Sequence, residues 1–297
     1  MTIVKYRKIF FVFSAVLLVV SALAIGFYGL NLGTDFTGGT LLEIKYPSGR
    51  PDLTVVQEAV KKLDLGNVLV QPTGDKSYTL KLKNITEVEK NSLFESLTLG
   101  GESFFTSERL SDIGPTLGQE LRNKGLIAVT LVIVLIIIYI AFVFRQVSKH
   151  YVKSWKYGVT AIIALAHDII ISAGAMALAG HFLGGEADAL FLTALLTILG
   201  LSINDTIVVF DRIRENLHRH PNVKFEEVVG ISIRETYERS INTTIVIVVT
   251  LVALLLFGPT STYFFALIML VGMVAGTYSS ISIASNLLVS WEKLGRK

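Results

Sequence analysis

Six stretches of the sequence are apolar over about the length that crosses a bilayer, and this feature constrains the fold more than any other. They cover 9–30, 126–144, 157–179, 189–210, 241–257 and 264–289. A spanning helix needs about 20 mostly apolar residues, because hydrocarbon offers no water to bare backbone groups. Of the 297 residues, 52% are hydrophobic and only 17% are charged. The sequence therefore predicts an α-helical polytopic membrane protein with six transmembrane helices.

The composition excludes several classes of protein. The chain contains no cysteine, which rules out disulfide bonds, thiolate metal clusters and a cysteine nucleophile. A net charge of +3 is too small to indicate a nucleic-acid partner. No Gly-rich phosphate loop followed by Lys and Ser or Thr occurs, so ATP is not the expected energy source. We therefore expect no cofactor, no metal and no enzymatic activity.

The basic residues between the apolar stretches predict the orientation of the chain. Linker 145–156 contains four basic residues and no acidic one, whereas 180–188 contains two acidic residues and no basic one. Loops rich in Lys and Arg remain in the cytoplasm, so we expect linker 145–156 and both termini to lie there. Linker 211–239 contains six basic and six acidic residues, and alternation of the other loops places it on the same side. The four basic residues are Arg145, Lys149, Lys153 and Lys156.

The first apolar stretch has two interpretations. A basic start, an apolar run and the sequence Ala22, Leu23, Ala24 are typical of a cleaved signal sequence. The apolar run continues to Leu30, which is about the length of a full span. This length favours a retained first helix, and sequencing of the mature N-terminus would distinguish the two.

Residues 31–123, between the first two spans, follow a different pattern and predict a folded extracytoplasmic domain. Alternating or short apolar runs indicate strands, and amphipathic runs indicate helices. Thr86 and Glu89 form a Thr-x-x-Glu capping box at the start of one helix. The predicted elements are strand 41–46, helix 54–63, strands 67–71 and 78–83, helix 86–97 and strand 102–110. This βαββαβ order predicts a small α+β ferredoxin-like domain.

Four polar residues fall within the predicted third and fourth helices. His167 and Asp168 lie near the middle of the third helix, and Asn204 and Asp205 lie in the cytoplasmic half of the fourth. A charge at a helix centre costs about 3 kcal/mol on insertion. These side chains therefore need a partner or a water-filled cavity, and they are candidate functional residues. For His167, a relay and a hydrogen-bonded packing role stay open.

Asp205 has a candidate partner at the start of the fifth helix. Arg239 and Asn242 lie at a depth that Asp205 or Arg212 can approach. A neighbouring guanidinium would keep the carboxylate ionised, and its departure would let the carboxyl group take a proton. This arrangement predicts a protonation switch. Two structural alternatives stay open, namely a permanent packing pair and an Arg239 that anchors the helix at the lipid headgroups.

Four motifs resemble those of a known family. The stretches 29–40 (GLNLGTDFTGGT) and 114–119 (GPTLGQ) border the extracytoplasmic domain, and 166–168 (AHD) and 202–216 (SINDTIVVFDRIREN) lie in the third and fourth helices. They resemble the motifs of the SecF family, membrane subunits that work with SecD beside the protein-export channel. The resemblance covers essentially the whole chain and implies membership of the resistance-nodulation-division superfamily.

The resemblance also implies roles for individual residues. Asp205 would carry the proton and Arg239 would be its partner. The polar residues within the spans add Asp168 and His167 as candidates for the same relay, and Ser202, Asn204 and Asn242 as supporting residues. The motif after the first helix adds Asp35, Gly38 and Gly39 as candidate site residues. Asn242 stays open between a relay contact and a packing hydrogen bond.

The glycines of the motif after the first helix also have an explanation that needs no family. Gly38 and Gly39 would allow unusual backbone angles where a membrane helix turns into a strand. Asp35 would either stabilise the start of the domain or contact a partner subunit.

The expected function is that of an accessory subunit for protein export across the bacterial cytoplasmic membrane. The chain would use the proton gradient together with SecD, a separate chain that supplies the second six-helix bundle. The SecYEG translocon and the translocating polypeptide would be its other partners. The alternatives are a half-transporter for small molecules or lipids, and an intramembrane aspartyl protease that pairs Asp168 with Asp205.

Overall fold

Six helices in the described part of the chain are long and apolar enough to span a membrane, as predicted. After the short α1 (Thr2–Lys5), they are α2 (Arg7–Tyr28), α6 (Pro115–Val143), α7 (Ser154–Leu183), α8 (Ala189–Arg219), α9 (Phe225–Phe257) and a last span that comprises α10 (Tyr263–Ser279), a π-helical turn (Ser280–Ala284) and α11 (Ser285–Gly295).

This computed structural model describes residues 2–66, 68–101, 104–143 and 154–295. Three of the predicted cytoplasmic basic residues, Arg145, Lys149 and Lys153, lie outside the described residues, as do Asn67 and Glu102, where two strands were predicted to begin. The chain divides into two units, one formed by 1–31 with 127–297 and the other by 32–126.

The membrane helices extend farther than the apolar stretches predict. All of the predicted linker 211–239 except 220–224 belongs to α8 or α9. Ion pairs one turn apart stabilise this charged part of α8, and they join Arg214 to Asp211 at 2.5 Å and Arg219 to Glu215 at 2.6 Å. The apolar pattern marks only the part of each helix that lies in hydrocarbon, so it misses these solvated turns.

Helices α7, α8 and α10 form the centre of the first unit. Their facing side chains are small or fully buried, as at Ala161, Ala194 and Ala266. Glycine allows α10 to approach closely, because a Cβ at Gly276 would lie 3.1 Å from the Ser202 Cβ, and one at Gly272 would lie 2.8 Å from the Ser172 hydroxyl. Gly272 and Gly276 thus form a small-x-x-x-small pair, a spacing that lets membrane helices pack closely.

The second unit contains a four-stranded antiparallel sheet, two longer helices and a short one. In chain order its elements are α3 (Thr34–Thr37), β1 (Gly39–Lys45), α4 (Leu53–Lys61), β2 (Leu69–Thr73), β3 (Ser77–Leu82), α5 (Glu87–Leu97) and β4 (Thr106–Ile113). The sheet, α4 and α5 fold around one core. The strands lie in the order β2-β3-β1-β4, and β1 pairs with β3 in the register Leu42 to Leu80. The predicted capping box is present at Thr86 and Glu89.

Tyr46 is one of two tyrosines buried in the core of the second unit. It is 1% exposed, and its hydroxyl donates a 2.9 Å hydrogen bond to the Leu97 carbonyl at the end of α5. Burial, with a smaller effect of Tyr78, raises the pKa of the Tyr46 phenol to about 12. The bond therefore joins the sheet to α5 at all ordinary pH values.

We expect Tyr46→Phe to lower the free energy of unfolding of the second unit by about 1 kcal/mol, because the Leu97 carbonyl loses its donor. Hydrogen exchange of the sheet amides in the full-length protein measures the change. Ser92→Ala, which removes an exposed hydroxyl bonded to the Val88 carbonyl, is the control and should have a smaller effect. Equal effects would contradict the assignment. In wild type, the contribution of Tyr46 should persist below pH 10 and disappear as the pH rises through about 12.

Candidate functional site

Asp168 lies at the meeting point of three membrane helices and is fully buried. On its own helix, Asp168 Oδ1 is 2.9 Å from His167 Nδ1. Its Oδ2 accepts hydrogen bonds of 2.5 Å from Ser202 on α8 and 2.8 Å from Ser279 on α10. A buried carboxylate is tolerated only when such donors replace water. The sequence elements that meet here are the AHD motif, the start of the long α8 motif and the end of α10.

Only one of the two ring nitrogens of His167 has a hydrogen-bond partner among the described residues. It is 3% exposed, and its Nδ1 faces the Asp168 carboxylate. In the described structure its Nε2 is buried without a hydrogen-bond partner, and the ring lies 6.2 Å from that of Tyr278. The histidine therefore orients Asp168 with one nitrogen and has one nitrogen unused.

Asp205 has a different environment from Asp168. It is half-buried on α8, and its Oδ2 makes one long contact of 3.5 Å with the Thr277 hydroxyl on α10. Arg239 on α9 acts on the carboxyl group electrostatically, but the two form no ion pair among the described residues. Asp205 is therefore a carboxyl group with few hydrogen-bond partners and with a cation in electrostatic range.

The remaining predicted residues are either paired with other side chains or exposed on the surface. Arg212 bonds to Glu235 at 2.7 Å and to Glu215, so it is occupied away from Asp205. Asn204, Arg239 and Asn242 are exposed on α8 and α9. This leaves a polar strip, defined here as Asn204, Asp205, Arg239 and Asn242, on the surface of two membrane helices.

The predicted motif after the first helix lies in the second unit. Gly38 and Gly39 have φ angles of +76° and +144°, as the turn interpretation predicts. A Cβ at Gly38 would lie 2.7 Å from the Pro115 Cα, and one at Gly118 would lie 2.6 Å from the Gly38 backbone nitrogen. The motifs 29–40 and 114–119 therefore pack against each other through glycine. Asp35 is half-buried in α3.

Sequence reasoning missed the hydroxyl groups of the last span. Thr277, Ser279 and Ser280 each donate or share a hydrogen bond with a side chain of α7 or α8. The signal was present, because hydroxyl residues recur at 277, 279, 280, 282 and 285 in an otherwise apolar stretch. No group of three or more metal-ligating acidic or histidine side chains occurs in the described ranges.

These features define a class of protein before any comparison. Three of the six membrane helices supply the hydrogen-bond partners of a buried carboxyl group, and a second carboxyl group lies half-buried on one of them. An α+β unit follows the first helix. These features define a polytopic membrane protein.

Comparisons with known proteins identify the family. Residues 97–294 match the family "Protein export membrane protein SecD/SecF, C-terminal", and residues 23–46 match the "SecD/SecF GG Motif". The chain belongs to the SecD/SecF family, and it is a multi-pass protein of the bacterial inner membrane. It is 39% identical to protein translocase subunit SecF of Thermobaculum terrenum, over 98% of this chain and 93% of the relative. For the SecF of Synechocystis, the identity is 36% over 97% of this chain and 93% of the relative.

Solved structures agree with this assignment. The crystal structure of SecDF from Thermus thermophilus, a translocon-associated membrane protein, superimposes with a TM-score of 0.84 at 30% identity and covers 99% of this chain. SecDF in the super-membrane-facing form gives a TM-score of 0.69 at 31% identity and covers 100% of this chain. The present chain spans 39% of the length of each of these SecDF chains.

We expect Asp168→Ala to lower the free energy of unfolding by about 3 kcal/mol, because buried donors on three helices lose one acceptor. Asp205→Ala removes a single long hydrogen bond and should cost about 1 kcal/mol or less. Unfolding of the purified protein in mixed micelles measures both. Equal losses in the two variants would contradict the structural role of Asp168.

Proposed function

We propose that this protein is an accessory subunit of the Sec protein-export machinery that uses the proton gradient, together with SecD, to promote polypeptide translocation. The observation that carries the proposal is the environment of Asp205. Its carboxyl group is half-buried in a membrane helix, with one long hydrogen bond and a cation in electrostatic range that is not paired with it. A group held this weakly is suited to gain and lose a proton, whereas the saturated Asp168 is suited to fix packing.

Arg239 supplies the second half of the switch. When Asp205 is ionised, an approach of the Arg239 guanidinium neutralises it, and when Asp205 is protonated, the attraction disappears. Because Arg239 belongs to α9 and Asp205 to α8, the change in charge alters the force between two helices. Each proton that crosses a potential of 100 mV supplies about 2.3 kcal/mol, so a few protons would supply enough energy to move a domain.

The polar strip supports SecD as the partner in the membrane. Asn204, Arg239 and Asn242 are exposed on membrane helices, and such groups are costly against lipid. A second helix bundle would cover them and enclose the proton path, as at the repeat interfaces of transporters. The matched SecDF structures are longer chains, of which this protein spans 39%.

The second unit would act on the translocating polypeptide outside the membrane. Its strand order β2-β3-β1-β4 and its two helices support a ferredoxin-like classification. With both termini in the cytoplasm, residues 32–126 would lie on the outer side, next to the exit of the SecYEG channel. The name of the matched SecDF, a translocon-associated membrane protein, supports that location, and the relatives' names as translocase subunits fit an accessory role without catalysis.

An aspartyl protease is not favoured by the arrangement of the two carboxyl groups. A protease dyad shares one proton between adjacent carboxyl groups. Here the hydrogen-bond partners of Asp168 are His167, Ser202 and Ser279, whereas the partner of Asp205 is Thr277. In the described structure the two groups share no donor and no hydrogen bond.

The absence of cysteine makes the proposed orientation directly testable. We expect a membrane-impermeant maleimide, applied to intact spheroplasts, to label Val88→Cys in the second unit but not Lys8→Cys near the N-terminus, since both side chains are exposed. Permeabilised cells should label both variants, which controls for reactivity. Labelling of Lys8→Cys alone in intact spheroplasts would contradict the orientation.

We expect Asp205→Asn to abolish proton-gradient-dependent export by membrane vesicles while the complex with SecD remains assembled, because the amide cannot carry the proton. Arg239→Ala should cause a comparable loss, and the double variant should be no worse than either single one, since the two residues act as a unit.

Asp211→Asn is the matched control for this experiment. Asp211 lies on the same helix, is exposed and pairs only with Arg214 among the described residues, so its removal should leave export unchanged. Export that continues at the wild-type rate in Asp205→Asn would refute the proton relay, and additive losses in the double variant would refute a joint action with Arg239.

A further inference from the structure

A chain of hydroxyl groups connects Asp205 to the helix that carries Arg239. The Thr277 hydroxyl on α10 is 3.5 Å from Asp205 Oδ2 and 2.5 Å from the Thr244 hydroxyl on α9. The Thr244 hydroxyl donates a 2.8 Å hydrogen bond to the Ser240 carbonyl. Thr277, Thr244 and Ser240 are buried, and Ser240 directly follows Arg239. The chain therefore spans α8, α10 and α9 and ends beside the cation.

Each hydroxyl group has one hydrogen to donate, and this fixes the direction of the chain. Because Thr244 donates to the Ser240 carbonyl, the short Thr277–Thr244 contact needs the hydrogen of Thr277. Thr277 then has none left for Asp205, but it can accept one from a protonated carboxyl group. With an ionised Asp205 the direction must reverse, so that Thr244 donates to Thr277 and Thr277 donates to the carboxylate.

We propose that Thr277 is the positioning residue that transmits the protonation state of Asp205 to α9. This inference rests on the proposed function and adds the link between the proton and helix movement. The arrangement described here, with Thr244 bonded to Ser240 and a long Thr277–Asp205 contact, matches the protonated state. It is the state in which Arg239 is not paired with Asp205.

Loss of the proton would reverse the chain without breaking a covalent bond. The proton leaves Asp205 Oδ2, and Thr277 and Thr244 rotate their own hydrogens toward the carboxylate. The Ser240 carbonyl then loses its side-chain donor, which frees the first turns of the membrane part of α9. Arg239 lies at this point of the helix and would be drawn to the new negative charge.

Two further observations support a rearrangement of the hydrogen bonds around Ser240 and Thr277. The Ser240 hydroxyl is buried without a hydrogen-bond partner among the described residues, so the environment of this residue is not saturated in the present arrangement. The π-helical turn Ser280–Ala284 begins three residues after Thr277, and such turns are frequent at functional sites because their hydrogen bonding is readily rearranged.

The charged groups around Asp205 do not offer a competing switch. Arg239 on α9 interacts with it electrostatically. From α7 the titratable groups are His167 and Asp168, and Asp168 is saturated by Ser202 and Ser279. On α10 the titratable neighbour is Tyr278, whose hydroxyl donates to the Phe10 carbonyl. Farther along α8, Arg212 is paired with Glu235.

The experiment measures the carboxyl stretching band of Asp205 by infrared difference spectroscopy of the whole complex in lipid vesicles during pH steps. The band is assigned by its absence in Asp205→Asn. We expect Thr277→Val to move the band to higher frequency, because the carboxyl group loses its hydrogen bond, and to reduce proton-gradient-dependent export about tenfold. Thr277→Ser, which keeps the hydroxyl group, should restore both.

Two variants separate this role from packing. Thr206→Val removes another buried hydroxyl pair between the same helices, with Ser280 at 2.9 Å, and should leave the band and export unchanged. Thr244→Val breaks the chain at its second link and should reduce export to a similar extent as Thr277→Val. It remains informative if Thr277→Val does not assemble.

The possible results distinguish this inference from the function on which it rests. If no band depends on Asp205, the proton relay itself is wrong. If the band is present but Thr277→Val does not move it, or Thr277→Ser fails to restore it, only the role of Thr277 is overturned. An equal effect of Thr206→Val, or unchanged export in Thr244→Val, would overturn it as well.

Discussion

The hydrogen bonds to Asp168 are the interaction on which the membrane unit depends. A carboxylate without partners cannot remain in the centre of a helix bundle, because neither lipid nor packed side chains replace its water. Here α7 supplies the carboxylate and His167, α8 supplies Ser202 and α10 supplies Ser279. The three helices must therefore meet in one register, and the glycines of α10 allow them to come close enough.

The many hydrogen bonds of Asp168 contrast with the single long contact of Asp205 in the described part of the chain. The two residues lie on neighbouring helices of one bundle, and Ser202, which bonds to Asp168, precedes Asp205 by less than one turn of α8. In the proposed relay, Asp168 would be the fixed point and Asp205 the group that changes its charge. The relay would need both, because a change in charge moves a helix only relative to something that stays in place.

The sequence predicts the six spans and the strands and helices of the second unit, because each depends on a local pattern of apolar residues or on a cap such as Thr86 with Glu89. It also singles out Asp168 and Asp205, since charge inside an apolar stretch is rare. It does not predict their partners. Ser279 and Thr277 are compatible with any helix interior, and only the crossing of α10 over α7 and α8 turns them toward carboxyl groups.

The ends of the helices are also not predicted by the local apolar pattern. Apolar runs end at the headgroups, whereas α8 continues through a charged segment to Arg219. Those turns are stabilised by ion pairs such as Arg219 with Glu215, which a hydropathy pattern does not register. Similarly, the packing of Gly118 against Gly38 joins two motifs that are about 80 residues apart in the chain, and no local pattern connects them.

The π-helical turn Ser280–Ala284 gives the last span one residue more than a regular α-helix would hold in that turn. Each residue rotates an α-helix by about 100°. The extra residue therefore rotates the second half of the span about its axis relative to the first half. The first half is oriented by Ser279 toward Asp168, and the second half by Lys293, which pairs with Glu226 at the start of α9. Shortening the turn by one residue would leave only one of these two alignments possible at a time.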